Sequence, residues 1–254
     1  MNPCHLYAFQ MCRRIRESSN FLLFTNPGKP VTLAHYFWGL EKSGEWVLID
    51  VGFPRESLKK RGEEPQDFLG PDQLLANVGA DPAGVKKVIL THLHWDHISG
   101  LDLFKNATFY LQRREFDFFT GAFVRFPIVK RSVEMEDILK LVRLNYEGRL
   151  VLVDGDYPMD DGVDVFFTGG HTPGTQGVRV RGKERAIWIT GDITPFYRNF
   201  KEEIPPGIYS NLQEILLAYG NIRRMLRPQD DILPGHDPEV TEKFPFDNGI
   251  ARIL

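Results

Sequence analysis

Histidine and aspartate residues crowd one short stretch of this chain, at a spacing that suits metal binding. Residues 91–97 (THLHWDH) contain four candidate ligands, His92, His94, Asp96 and His97. His92 and His94 are two positions apart, so on an extended backbone both side chains point to the same side. Neutral imidazoles and carboxylates are ligands that zinc and similar divalent ions accept. The stretch therefore predicts a metal site.

Three further donors stand in short turns much later in the chain. His171 lies in GGHTPG, Asp192 in TGD and His236 in PGHD. Each turn follows an apolar segment typical of a buried strand, as the first stretch follows residues 88–90. Ligands at strand ends, held by glycine-containing turns, are what a rigid site on a rim of loops requires.

We expect these donors to form two pockets. Three nitrogens would hold one ion and a mixed set would hold the other: His92, His94 and His171 for the first, and Asp96, His97 and His236 for the second. Asp192 has two oxygens and is expected to bridge the ions. Seven ligands for two ions leave positions for water and substrate, which is typical of a catalytic site. The other histidines, His5 and His35, lack such a context and are expected to be ordinary residues.

The order and spacing of these donors resemble the metallo-β-lactamase fold superfamily, over roughly residues 31–240. Residues 47–52 (VLIDVG) resemble the strand and Asp-x-Gly element before the motif, where Asp50 would orient ligands, although a simple turn before Gly52 fits the local sequence equally well. The resemblance implies an α/β fold in one domain (residues 1–254): a four-layer αββα sandwich of two mixed β-sheets flanked by helices.

Within that superfamily, the chain is most similar to the N-acyl-homoserine lactone lactonase group, through residues 155–157, 162–174 and 199–205. This similarity implies a quorum-quenching hydrolase of the carboxylic-ester type that opens N-acyl-homoserine lactones or a related lactone, with the two ligand sets given above. Two divalent ions are expected, zinc first, with iron, manganese or cobalt as alternatives. Water activated between the ions would open the lactone ring, and Asp96 would carry the proton to the leaving alkoxide.

The chain departs from the lactonase pattern at one position. Lactonases of this group carry a tyrosine three residues after the bridging aspartate, where this chain has Pro195. Tyr197 lies two residues further on and could supply the phenol. The expected substrate contacts are aromatic side chains near the metal motif or after it: Trp95, Phe53, Phe68, Phe123 and Phe126.

Two other functions use the same ligand set or the same fold. A glyoxalase II-like thioesterase is the nearest alternative enzyme. A non-catalytic ligand-sensing protein is the alternative outside catalysis, but it gives no physical reason to keep all seven donors.

Composition sets wider bounds. A chain of 254 residues, 42% of them hydrophobic, is long enough for one well-buried domain. A net charge of −3 argues against a nucleic-acid partner. The two cysteines fit a reducing compartment, and the sequence shows neither a signal peptide nor a run of about 18 apolar residues, so a cytoplasmic protein with no membrane contact is expected. Residues 54–72 are predicted to form a long surface loop, either a lid or a homodimer contact.

Hydrophobic periodicity predicts alternating strands and helices. The predicted strands are 31–38, 45–50, 86–91, 107–111, 149–153, 163–168, 176–181, 185–190 and 231–234. The predicted helices are 71–78, 98–104, 112–119, 134–144 and 211–226. Asn211 is the expected cap of the last helix.

Overall fold

The strands of the protein form two β-sheets, with helices on both outer faces. The computed structural model describes residues 4–65, 67–159 and 162–254. In chain order the strands are β1 (Cys4–Glu17), β2 (Pro30–Lys42), β3 (Glu45–Ile49), β4 (Lys87–Ile89), β5 (Thr108–Gln112), β6 (Leu150–Val153), β7 (Tyr157–Pro158), β8 (Val163–Phe167), β9 (Gln176–Arg181), β10 (Ala186–Gly191), β11 (Asp231–Pro234), β12 (Phe246–Asp247) and β13 (Ile250–Arg252). The α-helices are α1 (Arg55–Lys59), α2 (Pro71–Asn77), α3 (Trp95–Ile98), α4 (Arg113–Thr120), α5 (Pro127–Lys130), α6 (Met135–Tyr146), α7 (Tyr197–Lys201), α8 (Leu212–Met225) and α9 (Glu239–Lys243).

The larger sheet is mixed and has the strand order β12-β13-β1-β2-β3-β4-β5-β6. Its first part, from β12 to β3, is antiparallel, while β3, β4, β5 and β6 run parallel. Parallel neighbours need long crossover connections. The segments that carry α1 to α6 make these connections, so the loop after β4 opens at the same edge as the loop after β3.

The smaller sheet has the order β11-β10-β9-β8-β7. It is antiparallel except for the pair β10 and β11, which the segment containing α8 connects. Because β10 and β11 run parallel, the turns that follow them lie side by side.

Alternating side chains on β10 explain how the layers stack. Ile187 and Ile189 lie in the core between the two sheets, which also contains Ile49 and Ile89 of the larger sheet. Trp188, between them in sequence, points to the opposite face, as period-two alternation requires. There it packs against α8, where the buried side chains include Ile215, Tyr219 and Ile222.

A third core covers the other face of the larger sheet. Leu48 and Val88 of that sheet pack with Leu74 of α2 and Leu141 of α6. The order of layers is therefore helix, sheet, sheet, helix, which confirms the predicted αββα sandwich. Within the described part of the chain, every helix falls short of the length and hydrophobicity that a membrane span requires.

The structure differs from the local predictions in several places. Strand β1 was not predicted, because its arginines interrupt the apolar alternation. Of the predicted helix 98–104, only Ile98 lies in α3, and Leu101–Leu103 forms a 3-10 turn. Gly100 lies between them, where a Cβ atom would come within 2.3 Å of the Val51 carbonyl oxygen. The predicted surface loop 54–72 carries α1 and buries Leu58 and Phe68 in the core.

Helix α8 offers a matched test of the outer layer. Replacing Ile222, which is 1% exposed, with alanine should lower the free energy of unfolding by about 2–5 kcal/mol, because a buried aliphatic side chain leaves a cavity. Leu217→Ala on the same helix is the control, since Leu217 is 66% exposed and its loss should change stability by about 0.5 kcal/mol or less. Urea unfolding of both variants measures the difference; equal losses would contradict this packing.

Candidate metal centre

Strand ends from both sheets bring the seven predicted donors to one place. The stretch with His92 and His94 follows β4 of the larger sheet, and His171, Asp192 and His236 follow β8, β10 and β11 of the smaller sheet. The donors therefore meet where the carboxyl ends of strands from both sheets converge.

The first pocket is formed by His92, His94, His171 and Asp192, whose candidate ligand atoms all lie within 4.8 Å of one another. Nδ1 of His94 lies 3.0 Å from Nε2 of His171. Oδ2 of Asp192 lies 3.5 Å from Nε2 of His171 and 3.8 Å from Nε2 of His92. Ligands held about 2.1 Å from one tetrahedral ion lie roughly 3.4 Å apart, so this spacing fits a single cation.

The second pocket shares Asp192 with the first. Oδ1 of Asp192 lies 3.4 Å from Nε2 of His97 and 3.2 Å from Nε2 of His236. Oδ2 of Asp96 lies 3.9 Å and 3.8 Å from the same two nitrogens. The structure thus brings all seven donors together. Candidate ligand atoms of His97, Asp192 and His236 lie within 4.8 Å of one another, and Asp96 joins them through His236.

In three of the rings, the nitrogen that points away from the centre (Nδ1) has a hydrogen-bond acceptor. Nδ1 of His171 donates to the carbonyl oxygen of Ile208 (2.7 Å), and Nδ1 of His236 donates to that of Ala34 (2.9 Å). Nδ1 of His97 lies 2.8 Å from Oδ2 of Asp50. These partners fix the hydrogen on Nδ1, so each Nε2 presents a lone pair to the centre, as in known metal sites.

Several inward-facing atoms have no protein partner. Among the described residues, Nε2 of His92, Nε2 of His97 and Oδ1 of Asp192 are buried without a hydrogen bond. Buried polar atoms without partners destabilise a fold. Cations between these atoms would supply the missing interactions, so the residues present fit a pair of metal ions.

In the first pocket the protonation states favour the same conclusion. Burial, followed by the effect of neighbouring His171, lowers the pKa of His94 to about 3. Burial also lowers the pKa of His92 well below its usual value, with His97 as the next cause. Burial raises the pKa of Asp192, but the neighbouring His236 and His97 outweigh it and bring the pKa well below the usual range. Neutral imidazoles and an ionised carboxylate are the forms that bind metal. In the second pocket burial lowers the pKa values of His97 and His236, but the neighbouring carboxylate of Asp192 outweighs it and raises both, so a cation bound there would have to replace their protons.

Asp50 lies directly behind the centre, at the end of β3, in a left-handed backbone conformation with φ of 61°. Besides contacting His97, its carboxylate accepts hydrogen bonds from the backbone N–H (2.7 Å) and the hydroxyl (2.8 Å) of Thr91. Asp50 therefore fixes the residue before His92 and the ring of His97 at once.

Glu115 was not predicted, yet it connects the two loops of the first pocket. This fully buried side chain accepts backbone N–H groups from Leu93, between two donors, at 2.9 Å and from Gly174, after His171, at 2.7 Å. Burial raises its pKa to about 7 although these hydrogen bonds oppose the shift. Local sequence gives no signal for this role, since an acidic residue in the first turn of a helix is common.

The expectation that His35 is an ordinary residue was wrong. Its ring is 2% exposed, lies 5.0 Å from the ring of His236, and places Nδ1 3.2 Å from Oδ2 of Asp96. The available signal was an imidazole in the middle of a strand rich in aromatic residues, where a buried polar ring requires a partner. His5, by contrast, pairs with Arg252 near the surface, as expected of a residue without a site.

Tyr197 does not take the place of the missing phenol. Its ring lies under the Lys243 ammonium group, 3.4 Å from Nζ, and its backbone N–H donates to Asp237. These contacts place it against α9 rather than against the metal ligands. Pro195 supports the centre in another way, because its carbonyl oxygen accepts the backbone N–H of His236 at 2.9 Å.

The predicted aromatic contacts fall into two groups. Phe53 is fully buried, with its ring centroid 4.9 Å from that of Trp95 and 5.7 Å from that of Phe68, so it packs behind these two rings and has no exposed surface. Trp95 and Phe68 are each 8% exposed. They pack against Phe53, whose ring also contacts that of His35. Phe123 and Phe126 are 58% and 43% exposed.

Glu115 gives a testable consequence. In Glu115→Gln one carboxylate oxygen becomes an NH2 group, so either Leu93 or Gly174 loses the acceptor of its buried N–H. We expect the free energy of unfolding of the variant to be about 1–3 kcal/mol lower. We also expect weaker metal binding, because Glu115 no longer connects the two loops. Glu214→Gln is the control, since Glu214 accepts the backbone N–H of Gly170 with one oxygen, pairs with the exposed Arg114 through the other, and is itself partly exposed. Unchanged stability in Glu115→Gln would contradict this role.

Comparisons with known proteins agree with this geometry. The model of the metallo-β-lactamase superfamily matches residues 32–236. The N-acyl homoserine lactonase AiiA of Bacillus thuringiensis subsp. kurstaki is 26% identical over 251 residues, which cover 92% of this chain and 93% of that protein.

Two solved structures share the fold. A quorum-quenching N-acyl homoserine lactone lactonase aligns with a TM-score of 0.81 at 23% identity, over 100% of this chain and 99% of its own. AidC, a dizinc quorum-quenching lactonase in complex with a product, aligns with a TM-score of 0.70 at 15% identity, over 94% and 89%. With the family model covering most of its length, this chain belongs to the metallo-β-lactamase superfamily.

Proposed function

We propose that this protein is a dinuclear metal-dependent hydrolase that opens the ring of N-acyl-homoserine lactones. The observation that carries the proposal is the pair of pockets that meet at Asp192, with buried atoms facing inward and lacking protein partners. The N-acyl homoserine lactonase relative, which aligns over nearly the whole chain, supports the substrate class.

Zinc is the ion we propose for both pockets. Imidazole nitrogens with carboxylate oxygens at tetrahedral spacing suit zinc, and the similar fold of a dizinc lactonase supports this choice. Bound ions of this kind lower the pKa of water and polarise a carbonyl group, which is the chemistry that lactone hydrolysis requires.

Asp96 is the residue we propose for proton transfer. Its side chain is 13% exposed, against 7% for Asp192 and 3% for His97, so it reaches the open side of the centre. Hydrolysis needs a base that takes a proton from water and returns it to the alkoxide of the opened ring. A carboxylate at the mouth of the site can do both.

Phe123 and Phe126 are the residues we propose for contact with the acyl chain. Phe123 stacks on Phe118 with ring centroids 5.5 Å apart, and both proposed side chains expose apolar surface. The segment that follows them is held to the metal motif, since the backbone N–H of Trp95 donates to the carbonyl oxygen of Ser132 at 2.9 Å.

A cytoplasmic location and a homodimer stay predictions from sequence.

A substrate panel tests the proposal. Protein loaded with zinc is assayed with a pH indicator against acyl-homoserine lactones of several chain lengths, δ-lactones, thioesters and nitrocefin. We expect ring opening of the acyl-homoserine lactones, faster than any other reaction. Turnover of thioesters alone would replace the proposal with a glyoxalase II-like thioesterase. No turnover with two ions bound would favour a ligand-sensing protein.

Metal removal should affect both activity and stability. Stripping the ions with a chelator should reduce lactone hydrolysis by at least about 1000-fold, because the ions supply several kcal/mol of charge stabilisation in the transition state. Zinc at a hundredfold excess over its Kd should raise the free energy of unfolding by about 2.7 kcal/mol. Asp192→Asn, which removes the shared charge, is expected to abolish both responses. Equal melting temperatures with and without zinc would contradict the site.

A further inference from the structure

His35 stands outside the seven donors, yet its ring faces the second pocket. Its Nδ1 lies 3.2 Å from Oδ2 of Asp96, the oxygen that also faces His97 and His236. Candidate ligand atoms of His35, Asp96 and His236 lie within 4.8 Å of one another. Distance alone therefore allows two roles for His35: an additional metal ligand, or a donor of a hydrogen bond to Asp96.

Arg14 decides between these roles. One of its guanidinium nitrogens lies 3.2 Å from Nε2 of His35, on the side of the ring away from the centre. A guanidinium group has N–H donors and no acceptor, so Nε2 of His35 must offer its lone pair. The ring is then neutral, and its hydrogen is on Nδ1. A protonated Nδ1 has no lone pair for a cation, which excludes His35 as a ligand.

The position of Arg14 is itself fixed by a second charge. Two of its nitrogens donate to the two carboxylate oxygens of Glu63, each at 2.6 Å, in the bidentate geometry that orients a guanidinium group most strongly. Arg14 is buried, and Arg16 also contacts Glu63. The guanidinium group is therefore held in place before it reaches His35.

We propose that His35 is a positioning residue that holds the carboxylate of Asp96 toward the second metal, with its tautomer set by Arg14. Nδ1 of His35 is buried without a hydrogen-bond partner among the described residues, and Oδ2 of Asp96, at 3.2 Å, is an acceptor within reach. A carboxylate oxygen has two lone pairs, so the oxygen that receives this N–H can still face a cation. The inference rests on the two-metal site proposed above, and it concerns metal affinity rather than the substrate.

The tautomer can be tested in the unmodified protein. Nitrogen NMR of zinc-loaded protein with labelled histidine, assigned with the His35→Asn variant, should show the hydrogen of His35 on Nδ1. The variant Arg14→Met should weaken that preference, because Nε2 loses its donor. A hydrogen on Nε2 in the unmodified protein would overturn the proposal.

Cobalt titration followed by absorption tests the effect on the metal. His35→Phe keeps the ring shape but removes the N–H, so we expect a 10- to 100-fold loss of affinity for the second cobalt ion and none for the first. His35→Asn keeps an N–H at the position of Nδ1 and should recover most of the affinity. His5→Phe, which breaks the similar histidine–arginine pair with Arg252, is the control.

Two outcomes of that titration would overturn the proposal: unchanged affinity in His35→Phe, or an equal loss at both ions, which indicates general damage to the fold. Because neither readout uses a lactone, both remain valid if the protein acts on a different substrate.

Discussion

The structure depends on one constraint: acidic and imidazole groups are buried beside one another, away from water. Asp192 is buried and must keep its charge beside four ring nitrogens. A charge in such a place destabilises the fold unless it is paired. Among the described residues Oδ1 of Asp192 has no hydrogen bond, so bound cations would complete its pairing. Folding and metal binding are thereby linked.

The scaffold meets this constraint by fixing the rings from behind. Backbone carbonyls hold His171 and His236, and the strained Asp50 holds His97. Glu115 ties two loops together, so the first pocket keeps its shape even though its ligands come from different sheets. These supports bond the far side of each ring or the backbone of the loops, so the atoms that face the centre stay free for ligand binding.

The cluster of donors could be predicted because its spacing is local, and the layers because the resemblance to the superfamily implies them. The spacing from His92 to His97 and the alternation of Ile187 with Trp188 can be read from neighbouring residues. The supports could not be predicted in the same way. Glu115 and His35 gain their roles only from partners that the fold brings from distant strands and loops. Tyr197 shows the opposite error, since proximity in sequence to Asp192 did not bring its ring to the centre.

Strand β1 explains why those supports were hidden. Its arginines look solvent-exposed in sequence, but Arg14 is buried between Glu63 and His35.

Anomalous diffraction from crystals of the zinc-loaded protein tests the central claim most directly. We expect two peaks per chain, about 3.5–4 Å apart, one on each side of the carboxylate of Asp192. A single peak, or two peaks that Asp192 does not touch, would contradict the account.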